Sequence, residues 1–149
     1  MKSSLLSKYR RISKGTSLIE VMVSVLILSI GLLGIAAMQA TALRNTQSAM
    51  ERTQAVVQSY AILDVLRTNT TLARAALYNV DWTCAVPGST TSPSVDTATW
   101  IASTMDKVSA DACGRISCAV GICTIDVRWD DSRGTGGSAA QTITTVSRI

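Results

Sequence analysis

Hydrophobic and polar positions divide this chain into stretches of different period. From Val21 to Leu43, 23 successive residues carry no charge. At about 1.5 Å per helical residue that is enough to cross a hydrocarbon layer of about 30 Å. Beyond Arg44 the hydrophobicity falls but a helical period persists. Ala49, Val56, Tyr60, Leu63 and Leu66 share one face with Met50 and Val57 beside it, and Gln47, Glu51, Gln54 and Gln58 fall opposite. No glycine or proline interrupts the chain between Gly34 and Arg67. The simplest reading is one helix from about Ser17 to about Thr68, on the order of 80 Å long. Two helices meeting between Thr41 and Asn45 are the alternative.

The polar Asn69 to Thr71 breaks this period, and Pro87 to Pro93 (PGSTTSP) reads as a loop. A second helix is expected next, capped by Ser94 or Asp96, with Trp100, Ile101, Met105 and Val108 as its core-facing stripe. From Arg115 the period becomes two. Strands are expected over Ile116 to Ala119 and Ile122 to Trp129, where Thr124, Asp126 and Arg128 alternate with Ile125, Val127 and Trp129. A flexible stretch from Asp130 to Ser138 leads to a last strand, Thr142 to Ile149. The pattern predicts an α+β fold in which a long N-terminal helix, apolar in its first half, lies across a small antiparallel C-terminal sheet. The segments are a basic leader (1–15), a long helix (16–68) with an apolar stalk (16–43) and an amphipathic part (44–68), and a globular head (69–149). No internal repeat is visible.

Composition narrows the chemistry. With 149 residues, 47% hydrophobic and 16% charged, one modest domain can fold. Phenylalanine is absent and aromatic residues make up 4%, so the core rests on aliphatic side chains. Histidine is absent too, which removes serine triads, Cys-His dyads and HExxH zinc sites. Only Lys107 remains as a lysine beyond the leader, and no paired carboxylates in an apolar setting can be inferred, so no enzyme is expected. The net charge is +4, but five of the 14 basic residues (Lys2, Lys8, Arg10, Arg11, Lys14) precede residue 15. Without them nine basic residues face ten acidic ones, and no basic stripe is left for nucleic acid.

The placement of those cations sets the expected topology: leader in the cytoplasm, everything beyond Arg44 exported. The apolar run is too long for an ordinary secretory signal, and no cysteine ends it to accept lipid. A plain single-pass anchor carrying an exported sensor head leaves Glu20 unexplained, because a carboxylate at the start of an apolar run costs a few kcal/mol unless paired or neutral.

The string Lys14-Gly15-Thr16-Ser17-Leu18-Ile19-Glu20-Val21 resembles the class III signal of type IV pilins and pseudopilins. There a short basic leader ends in Gly, and the fifth residue after the cut is Glu. Ile30 to Thr46 (IGLLGIAAMQATALRNT) and the stretch to Asn69 look like the PilV-type minor pilins, so the resemblance covers about the first 70 residues. It implies a pilin-like fold, cleavage after Gly15 by a prepilin peptidase, N-methylation at Thr16 and assembly through Glu20. It also implies residence in the inner membrane before assembly and in an extracellular pilus afterwards. The partners implied are other minor pilins, the major pilin and a tip adhesin, with roles in priming, adhesion and twitching. A pseudopilin of a type II secretion system is the alternative. Thr16 stands where the family usually has Phe, and no proline precedes Pro87, leaving Gly31 and Gly34 as the only weak points of the helix.

Cys84, Cys113, Cys118 and Cys123 lie on the exported side, an even set suited to disulfides in an oxidising compartment. Four cysteines allow three pairings. A hairpin would set Cys118 opposite Cys123 and leave Cys84 to join Cys113, which is the favoured arrangement. Four thiolates on zinc are disfavoured, because the spacings lack a paired CxxC. Asp126, Asp130 and Asp131 read as solvated aspartates at a strand end. Calcium, which the resemblance to pseudopilins allows, is the disfavoured alternative, because the spacing of an EF-hand loop is absent. No metal or cofactor is expected.

Overall fold

A computed structural model of the chain describes Gly15, residues 17–88 and residues 92–149. The elements run α1 (Leu18–Thr68), α2 (Thr70–Arg74), β1 (Val80–Thr83), α3 (Ser92–Lys107), β2 (Cys113–Ala119), β3 (Ile122–Trp129) and β4 (Gln141–Arg148). The four strands form one antiparallel sheet in sequence order, with α3 inserted between β1 and β2. The fold is α+β and pilin-like, a long N-terminal apolar helix with a C-terminal four-stranded sheet. The chain divides into two compact units, one ending at Gln39 and one running from Ala40 to Ile149.

In the first unit every described residue is exposed, including Leu26, Ile27, Leu28 and Leu33. The second unit holds the core. Ala55, Ile62, Leu63 and Leu66 of α1 pack with Trp100, Ile101 and Val108, and with Ile116, Ile125, Val127 and Trp129 of the sheet. The Trp100 ring fits because β2 has a glycine beneath it: a Cβ on Gly114 would lie 2.5 Å from that ring and 2.7 Å from Ile101. Trp100 also ties α3 to α1, its indole N–H donating to the Gln58 carbonyl at 2.9 Å. The Tyr78 hydroxyl donates to Asp96 at 2.8 Å. Burial and the adjacent Asp96 carboxylate push that phenol up to about 12.

The buried face of α1 is not the one the period predicts. Leu63 and Leu66 are buried, but Ala49, Met50, Val56, Val57 and Tyr60 are exposed. Gln58, placed on the solvent face by pattern, is 8% exposed. Ala55 and Ser59, both 0% exposed, share the buried face with Ile62, Leu63 and Leu66, and this face carries Gln58 inward. The bulkier Met50, Val57 and Tyr60 are turned away from the core.

Two elements were not anticipated. α2 forms one short turn after Asn69, and β1 pairs with the edge of β2. Register slips between Val80 and Thr83, and Asn79 bridges the approach to this strand. Its amide donates to the Cys118 carbonyl at 3.3 Å and accepts from the Cys118 N–H at 2.7 Å, standing in for a strand backbone. α3 begins at Ser92, inside the stretch read as loop, so Ser94 and Asp96 lie within the helix rather than at its cap. Pro93 is tolerated there because a first-turn N–H has no intrahelical acceptor to lose. β2 begins at Cys113, earlier than expected, and turns into β3 through Val120 and Gly121, both at positive φ (50° and 76°).

Candidate assembly site

α1 starts where Ser17 offers its carbonyl to the N–H groups of Glu20 (3.0 Å) and Val21 (3.3 Å). Glu20 lies in the exposed first turn, where an acidic side chain suits the helix dipole. Among the described residues no side chain pairs with its carboxylate. Hydroxyl-bearing residues along the apolar segment turn inward on their own helix. Ser24 donates to the Glu20 carbonyl and Ser29 to the Val25 carbonyl, each at 2.7 Å, and Thr46 donates to Ala42 at 2.9 Å. Such back-bonding lets a helix enter lipid without stranded hydroxyls. The helix is long and apolar enough to cross a membrane.

A Cβ added to Gly15 would meet nothing within 4 Å, so packing does not demand glycine there. Residues 10–36 match the prokaryotic N-terminal methylation motif. This match supports a protein of the type IV pilin and pseudopilin superfamily. The prepilin-type motif spans Gly15, Thr16 and Glu20; Thr16 and the leader before Gly15 lie outside the described residues. Proteins defined by this motif are structural, non-enzymatic subunits, and motif and apolar helix together fit a membrane-anchored pilin that is later assembled. No curated protein and no solved structure matches the chain.

The remaining candidate residues lie in the second unit. The structure bridges Cys84 with Cys113 and Cys118 with Cys123, the latter two being direct partners in the β2–β3 register. The three aspartates are not all solvated, as the sequence suggests: Asp126 and Asp131 are buried against arginines, and Asp130 is half-buried. Asp126, 2% exposed, takes Arg115 at 2.7 Å and the Thr144 hydroxyl at 2.5 Å. Asp131, equally buried, takes Arg52 at 2.8 Å and Ser48 at 2.9 Å, both from α1. Burial pushes the Asp131 carboxyl up, but the Ser48 and Arg52 hydrogen bonds outweigh it and hold the group below the usual carboxylate range. Asp130 is lowered by its side-chain and backbone hydrogen bonds from Ser132. Among the described residues no group of three or more His, Cys, Asp or Glu side chains is arranged to hold a metal ion.

The stretch from Asp130 to Ser138, expected to be flexible, is pinned instead. Asp131 N–H donates to the Ser138 carbonyl at 2.9 Å, and Thr135 N–H donates to the Asn45 side chain at 3.0 Å. The Asp131 carbonyl fills the space a Cβ on Gly137 would need, so only glycine closes this loop. Asn45, Ser48 and Arg52, at spacings of three and four, form the helix stripe that receives it; all three look like ordinary solvent-facing residues in sequence. Also unforeseen is Trp82, whose ring lies 4.3 Å from the Arg128 guanidinium and 5.1 Å from that of Arg115. Its only sequence signal is an aromatic residue two positions after Val80.

Proposed function

We propose that the chain is a minor pilin of the PilV type, a structural subunit that acts with other minor pilins in priming a type IV pilus or at its tip. The pilin part of this reading is carried by a methylation motif that leads into an exposed apolar helix, with Glu20 in its first turn and no side chain among the described residues on its carboxylate; the PilV type rests on the resemblance of Ile30 to Asn69. Cleavage after Gly15 frees an ammonium at Thr16. A neighbouring subunit's Glu20 then neutralises that ammonium through a charge-assisted hydrogen bond inside a bundle of apolar helices. Processing thereby creates the docking partner, and Glu20 sets the axial register between subunits.

The test separates processing from docking. Gly15→Val should leave the full-length precursor in the membrane. Glu20→Gln and Glu20→Ala should be cut to mature size yet be depleted from sheared pili and from complexes with other minor pilins. Wild-type incorporation of both Glu20 variants would refute the docking role. Co-purification with secretion-channel components in place of minor pilins would identify a pseudopilin, and an uncut wild-type chain would identify a simple membrane anchor.

A further inference from the structure

The two edges of the sheet are built differently. β1 is four residues long, and its register slips. β4 is eight residues long and pairs with β3 without interruption from Gln141 to Trp129 through Arg148 to Ile122. It contains no proline and no bulge, its one charged residue is Arg148 at the end, and Thr142, Ile143, Thr144, Thr145 and Val146 are all β-branched. Sheets normally blunt a free edge with one or more of these devices, since its unpaired backbone groups template another strand.

The ladder tells which groups are free. Ile149 N–H donates to the Gly121 carbonyl at 2.9 Å, which makes that pair a hydrogen-bonded one. Antiparallel pairs alternate, so Gln141, Ile143, Thr145 and Ser147 also bond to β3. Thr142, Thr144, Val146 and Arg148 aim their N–H and C=O groups away from the sheet, and these four residues are the exposed ones. Val146 is 61% exposed. Charge is concentrated at the far end of this edge. Arg148 and Arg74 line one cleft, and Arg67 reaches Ser147 at 3.1 Å. Two of these guanidiniums are engaged: Arg67 pairs with Asp64 at 3.0 Å, and Arg74 donates twice to the Ile149 main-chain oxygen, at 2.7 and 3.2 Å. Among the described residues the Arg148 guanidinium is left without a partner.

We propose that β4 is a strand-addition site for an extended segment of another protein, one with β-branched residues along Thr142 to Val146 and carboxylates at the Arg148 end. Backbone pairing with the outward groups supplies affinity, and the unpartnered Arg148 guanidinium selects the acidic end and hence the strand direction. This inference rests on the second unit alone and is independent of the assembly role of Glu20.

The probe is a synthetic peptide of about eight residues, alternating Thr and Val and ending in two Asp, made with the acidic pair at either terminus. It is added to the full chain in detergent micelles, and amide hydrogen exchange is followed residue by residue. Binding of one of the two peptides should slow exchange at Thr142, Thr144 and Val146 by about tenfold or more, leaving Ile143 and Thr145, already bonded to β3, unchanged. A peptide N-methylated at alternate amides should have no effect. Arg148→Glu, at an exposed position that spares the fold, should abolish the response to the acidic peptide and confer one to its Lys counterpart. No slowing at saturating peptide, or equal slowing at both sets of amides, would overturn the proposal. So would protection that rises with protein concentration in the absence of peptide, because a second copy would then be the occupant.

Discussion

Arg52 and Asp131 lie 79 positions apart and meet at 2.8 Å, with the carboxylate side chain 1% exposed and the guanidinium 45% exposed. This pair, with Ser48, fastens the β3–β4 connection to α1. Half of the pair is open to water, so its strength comes from what Asp131 would lose if left alone in the interior.

The first prediction concerns acid. The folded-state pKa of Asp131 is depressed, so its contribution is present above the unfolded value of about 3.9 and is lost as pH falls through the folded value. Asp131→Asn should cost about 1–2 kcal/mol near neutral pH and progressively less below about pH 4. Thermal melts of the two proteins across that range should converge on the acid side. Parallel curves would show that the carboxylate charge does not matter.

The disulfides should differ in worth. Cys84–Cys113 spans 29 positions and Cys118–Cys123 spans 5. By loop-closure entropy the first stabilises by roughly 3–4 kcal/mol and the second by roughly 2. Replacing each pair with serines and comparing denaturant midpoints should give that order.

Val120 opens the β2–β3 turn at φ 50° and is 99% exposed. A β-branched residue is strained there, whereas Asn is at ease in a turn with two positive φ angles. Val120→Asn should therefore stabilise by about 0.5–1 kcal/mol, readable as a raised melting temperature. A neutral or destabilising result would mean that the turn relaxes in solution.

Gly114→Ala should do the opposite. The added methyl meets the Trp100 ring and Ile101, both buried, and neither can swing aside. A loss of about 1–3 kcal/mol is expected. Trp100→Leu in the same background should recover part of it.

Much of this architecture was legible because period reports burial. The Ile125, Val127, Trp129 alternation and the Trp100, Ile101, Val108 stripe lead directly to buried positions. The face of α1 misleads over residues 49–60, where the small Ala55 and Ser59 and the polar Gln58 are buried while Met50, Val56, Val57 and Tyr60 point outward. β1 was missed because four residues with one apolar alternation carry too little signal. The docking stripe of Asn45, Ser48 and Arg52 was invisible for another reason: polar residues that receive a loop are chemically the same as polar residues that face water. In the candidate site, the Gly15 to Glu20 string was readable as a local motif. The partners of Asp126 and Asp131 were not, since they come from distant parts of the chain.

The Cys84–Cys113 bridge also has a mechanical meaning. Tension applied between α1 and β4 passes from Cys84 through sulfur to Cys113, leaving α3 outside the load-bearing path. The 29 positions bypassed correspond to about 100 Å of extended chain that cannot be paid out. A head pulled to full extension with this bridge intact is thus shorter by that length than one in which this bridge alone is reduced. The helix whose Trp100 anchors the core is spared direct pulling on its ends.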